Sequence, residues 1–256
     1  MAAVRVRTLA IVLRSIEVFE TSKVLTLFSR DLGKISGLAK GARRLKSSFH
    51  SSLDLLSVCD IVLLHKASGS AEETLDLMTE ATLEERFDAL RDDLPALYAG
   101  YYVAELLSEL TDFHDPHPKL FDAARVTLRH LADPVLRNHR LVRFELAILR
   151  ELGHAPALEF CVGCGAETRP RGHFDAVAFG LTLGGVLCPI CRQGQPHVAA
   201  LNGRTLEALR LLAAPGDVWR TLDLSPQLLG PIRGTLGSVI SHLIGRRPRL
   251  LSFLGV

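Results

Sequence analysis

Polar and apolar positions in the first 80 residues alternate with the two-residue period of half-buried strands. VRVRTLAIVLRS, SKVLTLFS, KISGLAK, SVCDIVLLHK and TLDLMTE are short alternating or β-branched runs. Turn-formers such as Asp31-Leu32-Gly33 and Ala67-Ser68-Gly69-Ser70 separate them. Five short strands around a tight hairpin predict a small barrel, and an OB-type barrel fits the count.

From about Leu83 the spacing becomes helical. Leu83, Phe87 and Leu90 start one face, Pro95 suits the first turn of the next helix, and Leu97, Tyr101, Ala104 and Leu107 continue the three-and-four spacing. Asp115-Pro116 and Pro118 read as a cap and first turn before KLFDAARVTLRHLA, and Asp133-Pro134 ends that helix. Asn138 is placed to cap RLVRFELAILREL, which Gly153 stops. Cysteines, glycines and prolines then interrupt the pattern between about Ala157 and His197. Helical spacing returns in GRTLEALRLLAA and SPQLLGPIRGTLGSVISHLIG. The expected fold is a multidomain α+β chain, with an OB-type β-barrel over residues 1–81 and an α-helical domain over 82–256. A cysteine-rich module at 157–198 interrupts the helical part.

The chain has 256 residues, 48% of them hydrophobic, enough for a sizeable core. The apolar run TLAIVL is too short for a signal sequence, and the longest uncharged stretch, AVAFGLTLGGVLCPIC, carries three glycines and a proline. A cytosolic protein without a membrane span is expected. The net charge of +2 conceals a partition of +7 over residues 1–50, −12 over 51–115 and +7 over 116–256. The basic ends suit a polyanion and the acidic middle repels one; solvated faces produce the same pattern.

Charge is densest in GKISGLAKGARRLKSS at 33–48. Lys34, Lys40, Arg43, Arg44 and Lys46 occur there among small residues with no acid. A solvated loop is one reading. The other is a grip on phosphate, in which cations follow a nucleic-acid backbone while Gly37, Ala39 and Gly41 leave room for close approach. Arg14, with Arg5 and Arg7, extends the basic face. Phe28 and Phe49 are the nearest aromatic residues, and Phe28 fits a core better than a stacking platform, so binding dominated by charge is expected.

Four of the five cysteines form Cys161-x2-Cys164 and Cys188-x2-Cys191, twenty-three residues apart. Two such knuckles aim four thiolates at one ion, and tetrahedral Zn2+ is the natural occupant. The separation slightly exceeds the usual zinc-ribbon range, and a hairpin from HFDAVAFG to LTLGGVL absorbs the excess. Disulfides compete poorly in a reducing compartment, and a redox role suits a single CxxC better than a pair. Four sulfurs leave no open position for substrate, so the metal is expected to be structural, one per chain. His173 and His197 are alternative ligands by proximity. Cys59, inside SVCDIVLL, reads as a small core residue.

No GxxxxGK[ST] loop, GxSxG elbow or HExxH pair occurs, and the HxE partner of a zinc deaminase is missing before LCPIC. His114, Asp115 and His117 lie beside prolines, as in a helix-capping loop. A non-enzymatic role is expected. A zinc-dependent nucleic-acid-modifying enzyme and a zinc-ribbon interaction module remain the rival classes.

VLRSIEVFETSKVLTLFSRDLGKISGLAKGARRLKSS resembles the strand, hairpin and basic signature of the RecO family of bacterial DNA repair proteins. The paired CxxC set in a helical domain resembles the zinc-binding members, and RRPRLLSFL resembles the family's ending. The resemblance implies an N-terminal OB-fold, a helical domain and a zinc module in a cytoplasmic, nucleoid-associated recombination mediator. It also implies binding of single- and double-stranded DNA, annealing of complementary strands, and work with RecR to load RecA onto DNA covered by single-strand binding protein. That protein's acidic C-terminal tail is a further implied partner. Arg125 with Arg129, and Arg140 with Arg143, place cations beside apolar helix faces as a rim for such a tail; helix solubility explains them equally well.

Overall fold

The computed structural model describes residues 4–44, 47, 49, 53–65, 75–170, 172 and 175–254. The chain divides into two compact units, Met1–Ala132 and Asp133–Val256.

In the first unit, β1 (Val4–Val18), β2 (Ser22–Ser29), β3 (Gly33–Ala39), β4 (Val58–His65) and β5 (Leu75–Glu85) close into a barrel in the order β1-β2-β3-β5-β4. Strands β3 and β5 run parallel, Ser36–Ala39 facing Leu75–Met78, while the other neighbours are antiparallel. Strand β1 serves both β4 and β2, with a register shift between Val12 and Arg14 that bends it from one partner towards the next. Alternation sends Ala10, Val12, Leu25, Leu27, Ile35, Cys59, Ile61 and Leu63 into the interior, all fully buried. Each large apolar side chain buried in this way contributes about 1.5–3 kcal/mol. Burial also pushes the Cys59 thiol up to about 12, consistent with a core role.

The outer face of β2 is covered too. Phe28 is fully buried, its ring 6.4 Å from that of Phe121 on a helix. Helices α1 (Asp88–Arg91), α2 (Leu94–Leu110) and α3 (Pro118–His130) follow the barrel. Pro95 lies in the first turn of α2, as its sequence context predicts. Two expectations fail here. Leu83 belongs to β5, paired with Cys59 and packed against the barrel core, because Thr82-Leu83-Glu84 also satisfies the strand period and β4 needs a partner along that length. Asp115 does not cap α3; the cap position is His117, without a side-chain cap bond, and Pro118 opens the helix.

The second unit holds α4 (Arg137–Glu151), then β6 (Ala176–Gly180), β7 (Gly185–Leu187) and β8 (Val198–Asn202) in a sheet of order β7-β6-β8, then α5 (Gly203–Ala213) and α6 (Pro226–Ile244). Leu141, Phe144, Ile148, Leu206, Leu209, Ile232, Leu236 and Ile240 supply buried helix faces. Asn138 lies within the first turn of α4 rather than capping it, and its Oδ1 accepts a hydrogen bond from Arg233 at 3.3 Å. The side-chain cap in this unit is Asn202, whose Oδ1 accepts from the Thr205 N–H at 2.8 Å. Among the described residues, no helix is long and apolar enough to cross a membrane.

Candidate nucleic-acid interface and metal centre

Strand β3 ends at Ala39, and the chain turns through Lys40, Gly41, Ala42, Arg43 and Arg44. Gly41 has φ +73, a left-handed conformation that glycine adopts without cost. Lys40, Arg43 and Arg44 are exposed. The turn is fastened to the β1–β2 hairpin by the Arg43 N–H, which donates to the Thr21 carbonyl at 3.0 Å. The Arg43 guanidinium donates to the Glu20 carbonyl at 3.4 Å and lies 3.2 Å from a Glu17 carboxylate oxygen. Among the described residues, the side chains of Lys40 and Arg44 make no hydrogen bond or ion pair, and the same holds for exposed Arg14 on β1. Cations without internal partners retain their charge for an external polyanion.

The other basic residues of the motif separate by environment. Lys34 is buried, and its ammonium donates to the carbonyls of Ser108, at 2.7 Å, and Thr111 while facing the Phe113 ring at 4.8 Å. The expected phosphate contact at Lys34 is therefore replaced by an internal one, and Lys34 is left out of the interface. Lys46 lies outside the described residues. On β1, Arg7 chelates Asp60 through 2.6–3.0 Å hydrogen bonds and Arg5 pairs with Glu80, so both are already answered by acids. Phe28 and Phe49 are buried and offer no stacking face.

In the second unit, Cys161, Cys164, Cys188 and Cys191 place their four Sγ atoms within 4.8 Å of one another. The Cys164 and Cys188 sulfurs are 3.8 Å apart, which matches the edge of about 3.8 Å that a tetrahedron of 2.3 Å zinc–sulfur bonds requires. The first knuckle turns tightly, Gly165 donating to the Cys161 carbonyl at 2.8 Å with φ +73. A side chain at Gly163 would meet the Cys191 Cβ and Sγ at 3.0 Å, so glycine there lets the knuckles close. Hairpin β6–β7, with Ala178 opposite Leu187, brings the second knuckle to the first. Arg210 of α5 clamps the module by donating to the carbonyls of Leu158 and Thr168.

Backbone N–H groups prepare the sulfurs for a cation. The Cys188 N–H donates to the Cys161 Sγ at 3.3 Å, and the Cys191 N–H to the Cys188 Sγ at 3.4 Å. Burial raises the Cys161 thiol pKa, but hydrogen bonds from Cys188, Gly163 and Cys164 outweigh it and hold the group down at about 6. Cys188 is likewise lowered, chiefly by the Cys191 N–H, whereas hydrogen bonds with Cys164 and Cys188 push Cys191 up to about 12. Four sulfurs so arranged are positioned to hold a metal ion. His173 lies outside the described residues, and His197 lines a different cavity.

Two family models cover nearly the whole chain: Recombination protein O N terminal matches residues 1–86 and Recombination protein O C terminal matches residues 91–252. The chain belongs to the RecO family. A DNA repair protein RecO from Rhodopirellula baltica is 38% identical over 96% of this chain and 97% of its own length. Those of Anaeromyxobacter sp. strain K and Roseiflexus sp. strain RS-1 are 34% and 30% identical, over 98% and 97% of this chain and 96% and 84% of their own lengths. The barrel with its cationic turn falls within the RecO N-terminal match, and the four cysteines within the C-terminal one.

The helix cations considered for this RecO chain's partner contacts also divide. Arg125 and Arg129 both bond Glu85, a carboxylate that burial raises but the two guanidiniums hold below its ordinary pKa. Arg140 and Arg143 flank the buried ring of Trp219 at 4.8 and 4.9 Å, with Arg220 at 5.3 Å. Arg143 also donates to the carbonyls of Leu212 and Ala214. Burial lowers the pKa of both arginines, and the neighbouring guanidiniums add to the effect. Arg220 is itself paired with Asp217 at 3.0 Å. One polar pair escapes sequence reading: His65 Nδ1 lies 2.7 Å from buried Asp76, with the His114 ring 5.4 Å from that of His65, bringing together positions far apart in the chain.

Proposed function

We propose that this RecO-family protein is a non-enzymatic DNA-binding recombination mediator. It binds single- and double-stranded DNA, anneals complementary strands and helps load recombinase onto strands covered by single-strand binding protein. The observation that carries this reading is the turn Lys40–Arg44 after β3, whose exposed cations stand at the edge of a closed five-stranded barrel. Barrels of this kind bind nucleic acid along a basic groove, and charge supplies affinity without base readout. Arg14 extends the grip along β1, and Lys46 continues it in sequence.

In this reading, residues 1–81 are the DNA-binding domain, with β5 continuing past that boundary to Glu85, and residues 82–256 are the helical domain, interrupted by the module at 157–198. Cys161, Cys164, Cys188 and Cys191 would hold one structural Zn2+ per chain, cross-linking two knuckles that have a small core of their own. The proposed protein partners are RecR, the acidic tail of single-strand binding protein and, indirectly, RecA. Arg140 and Arg143 beside Trp219 are the favoured cations for the tail, since Arg125 and Arg129 are engaged by Glu85. The proposed location is the cytoplasm, at the nucleoid.

The test is annealing of complementary strands coated with single-strand binding protein, with and without RecR, by the wild type and by a variant with Lys40, Arg43 and Arg44 changed to Ala. Annealing by the wild type and its loss in the variant support the reading; failure of the wild type to anneal contradicts it.

A further inference from the structure

The hairpin between β1 and β2 turns through Phe19, Glu20 and Thr21. Phe19 is 88% exposed, the most exposed large apolar side chain among the described residues. Its φ of +52 lies in the left-handed region. A bulky residue rarely adopts that conformation, and glycine or asparagine would fit the turn with less strain. No fold requirement accounts for a phenyl ring here, because the ring packs against almost nothing.

Phe19 also has a defined neighbour. Arg43 of the cationic turn donates to the carbonyls of Thr21 and Glu20, and Glu20 directly follows Phe19. The same guanidinium pairs with Glu17, cancelling one of the two acids at the hairpin tip. Glu20 follows Phe19 in the chain and makes no ion pair among the described residues. An exposed ring on a hairpin tip that is hydrogen-bonded to the cationic turn suits the uncharged face of a base.

We infer that Phe19 is a stacking platform for an unpaired nucleobase of a strand whose phosphates lie on Lys40, Arg43 and Arg44. This rests on the DNA-binding reading given above. Base–aromatic stacking accepts any base, depends little on salt and is denied to paired bases within a duplex. Phe19 thus gives the barrel a preference for single strands that cations alone do not supply. The sequence signal is VFETS, an aromatic residue among turn-forming neighbours between two strands, but only the exposed ring, on a hairpin whose Glu20 and Thr21 carbonyls bond Arg43, sets it apart from a core position.

The test compares Phe19→Ala and Phe19→Trp with wild type on oligo(dT), on an abasic strand of equal length and on duplex DNA. Phe19→Ala should weaken oligo(dT) binding about 5- to 100-fold, leave the slope of log affinity against log salt unchanged, and leave abasic and duplex binding unchanged. Phe19→Trp should retain affinity and show emission quenched by oligo(dT) but not by the abasic strand, over the background of buried Trp219. Wild-type binding by Phe19→Ala, equal loss on all three ligands, or unquenched Phe19→Trp emission overturns the inference. Replacing Lys40, Arg43 and Arg44 with Ala separates the two ideas. If that change lowers the salt slope while Phe19→Ala is silent, only the stacking platform fails; if it leaves the slope unchanged, the phosphate grip fails with it.

Discussion

Lys34 Nζ lies 2.7 Å from the carbonyl oxygen of Ser108, inside a basic motif whose neighbouring cations face solvent. It also donates to the Thr111 carbonyl, so one ammonium holds the end of α2 against β3. Charge-assisted bonds of this kind contribute about 1.5–3 kcal/mol each. Lys34→Met should therefore lower unfolding stability by at least about 2 kcal/mol, measured by chemical denaturation. The salt slope of DNA binding should stay as in wild type, because the Lys34 ammonium is turned inward onto the end of α2.

Gly33, the residue before it, is equally constrained. Its φ is +70, and a Cβ there would lie 2.1 Å from the Asp115 carbonyl oxygen. The Lys34 carbonyl accepts a bond from the His114 N–H at 2.9 Å across the same contact. Gly33→Ala should destabilise the first unit by several times the roughly 1 kcal/mol of a tolerated left-handed alanine, with a matching fall in melting temperature.

For the four sulfurs, elemental analysis of protein purified under reducing conditions should return about one zinc per chain. Cys161→Ser should lose the metal and expose the 157–198 module to protease while the barrel's DNA binding survives. A native protein free of zinc contradicts the assignment.

Glu85 ties stability to pH. Burial raises its pKa, but hydrogen bonds from Arg129 and Arg125 outweigh burial, so the folded value lies below the ordinary carboxylate value. The resulting stabilisation is present above the unfolded pKa of about 4.3 and is lost as pH falls through the lower folded value. The stability difference between wild type and Glu85→Gln should be widest near neutral pH and shrink in acid. Denaturation curves at several pH values between neutrality and pH 3 check this.

The five strands were legible because their alternation is local, and so was the four-cysteine cluster, whose spacing lies in the chain itself. Leu83 was misplaced because its spacing to Phe87 and Leu90 fits a helix, while its pairing with Cys59 depends on a strand far away in sequence. Asn138 resembled a cap until α4 proved to begin at Arg137. Lys34 was indistinguishable from Lys40 in sequence, since the carbonyls that bury it come from the end of α2. Phe19 went unnoticed for the opposite reason: apolar residues near strands read as core, and Phe19 is apolar but exposed.

The phosphate grip of the turn after β3 is tested most directly by the salt dependence of oligo(dT) affinity, for wild type and for the variant with Lys40, Arg43 and Arg44 replaced by Ala. Each cation that neutralises a single-strand phosphate contributes about 0.7 to the slope, so the variant should lose about 1.4 from it for Lys40 and Arg44, and about 2 where Arg43 exchanges Glu17 for a phosphate, along with affinity at low salt. An unchanged slope in a folded variant contradicts the grip.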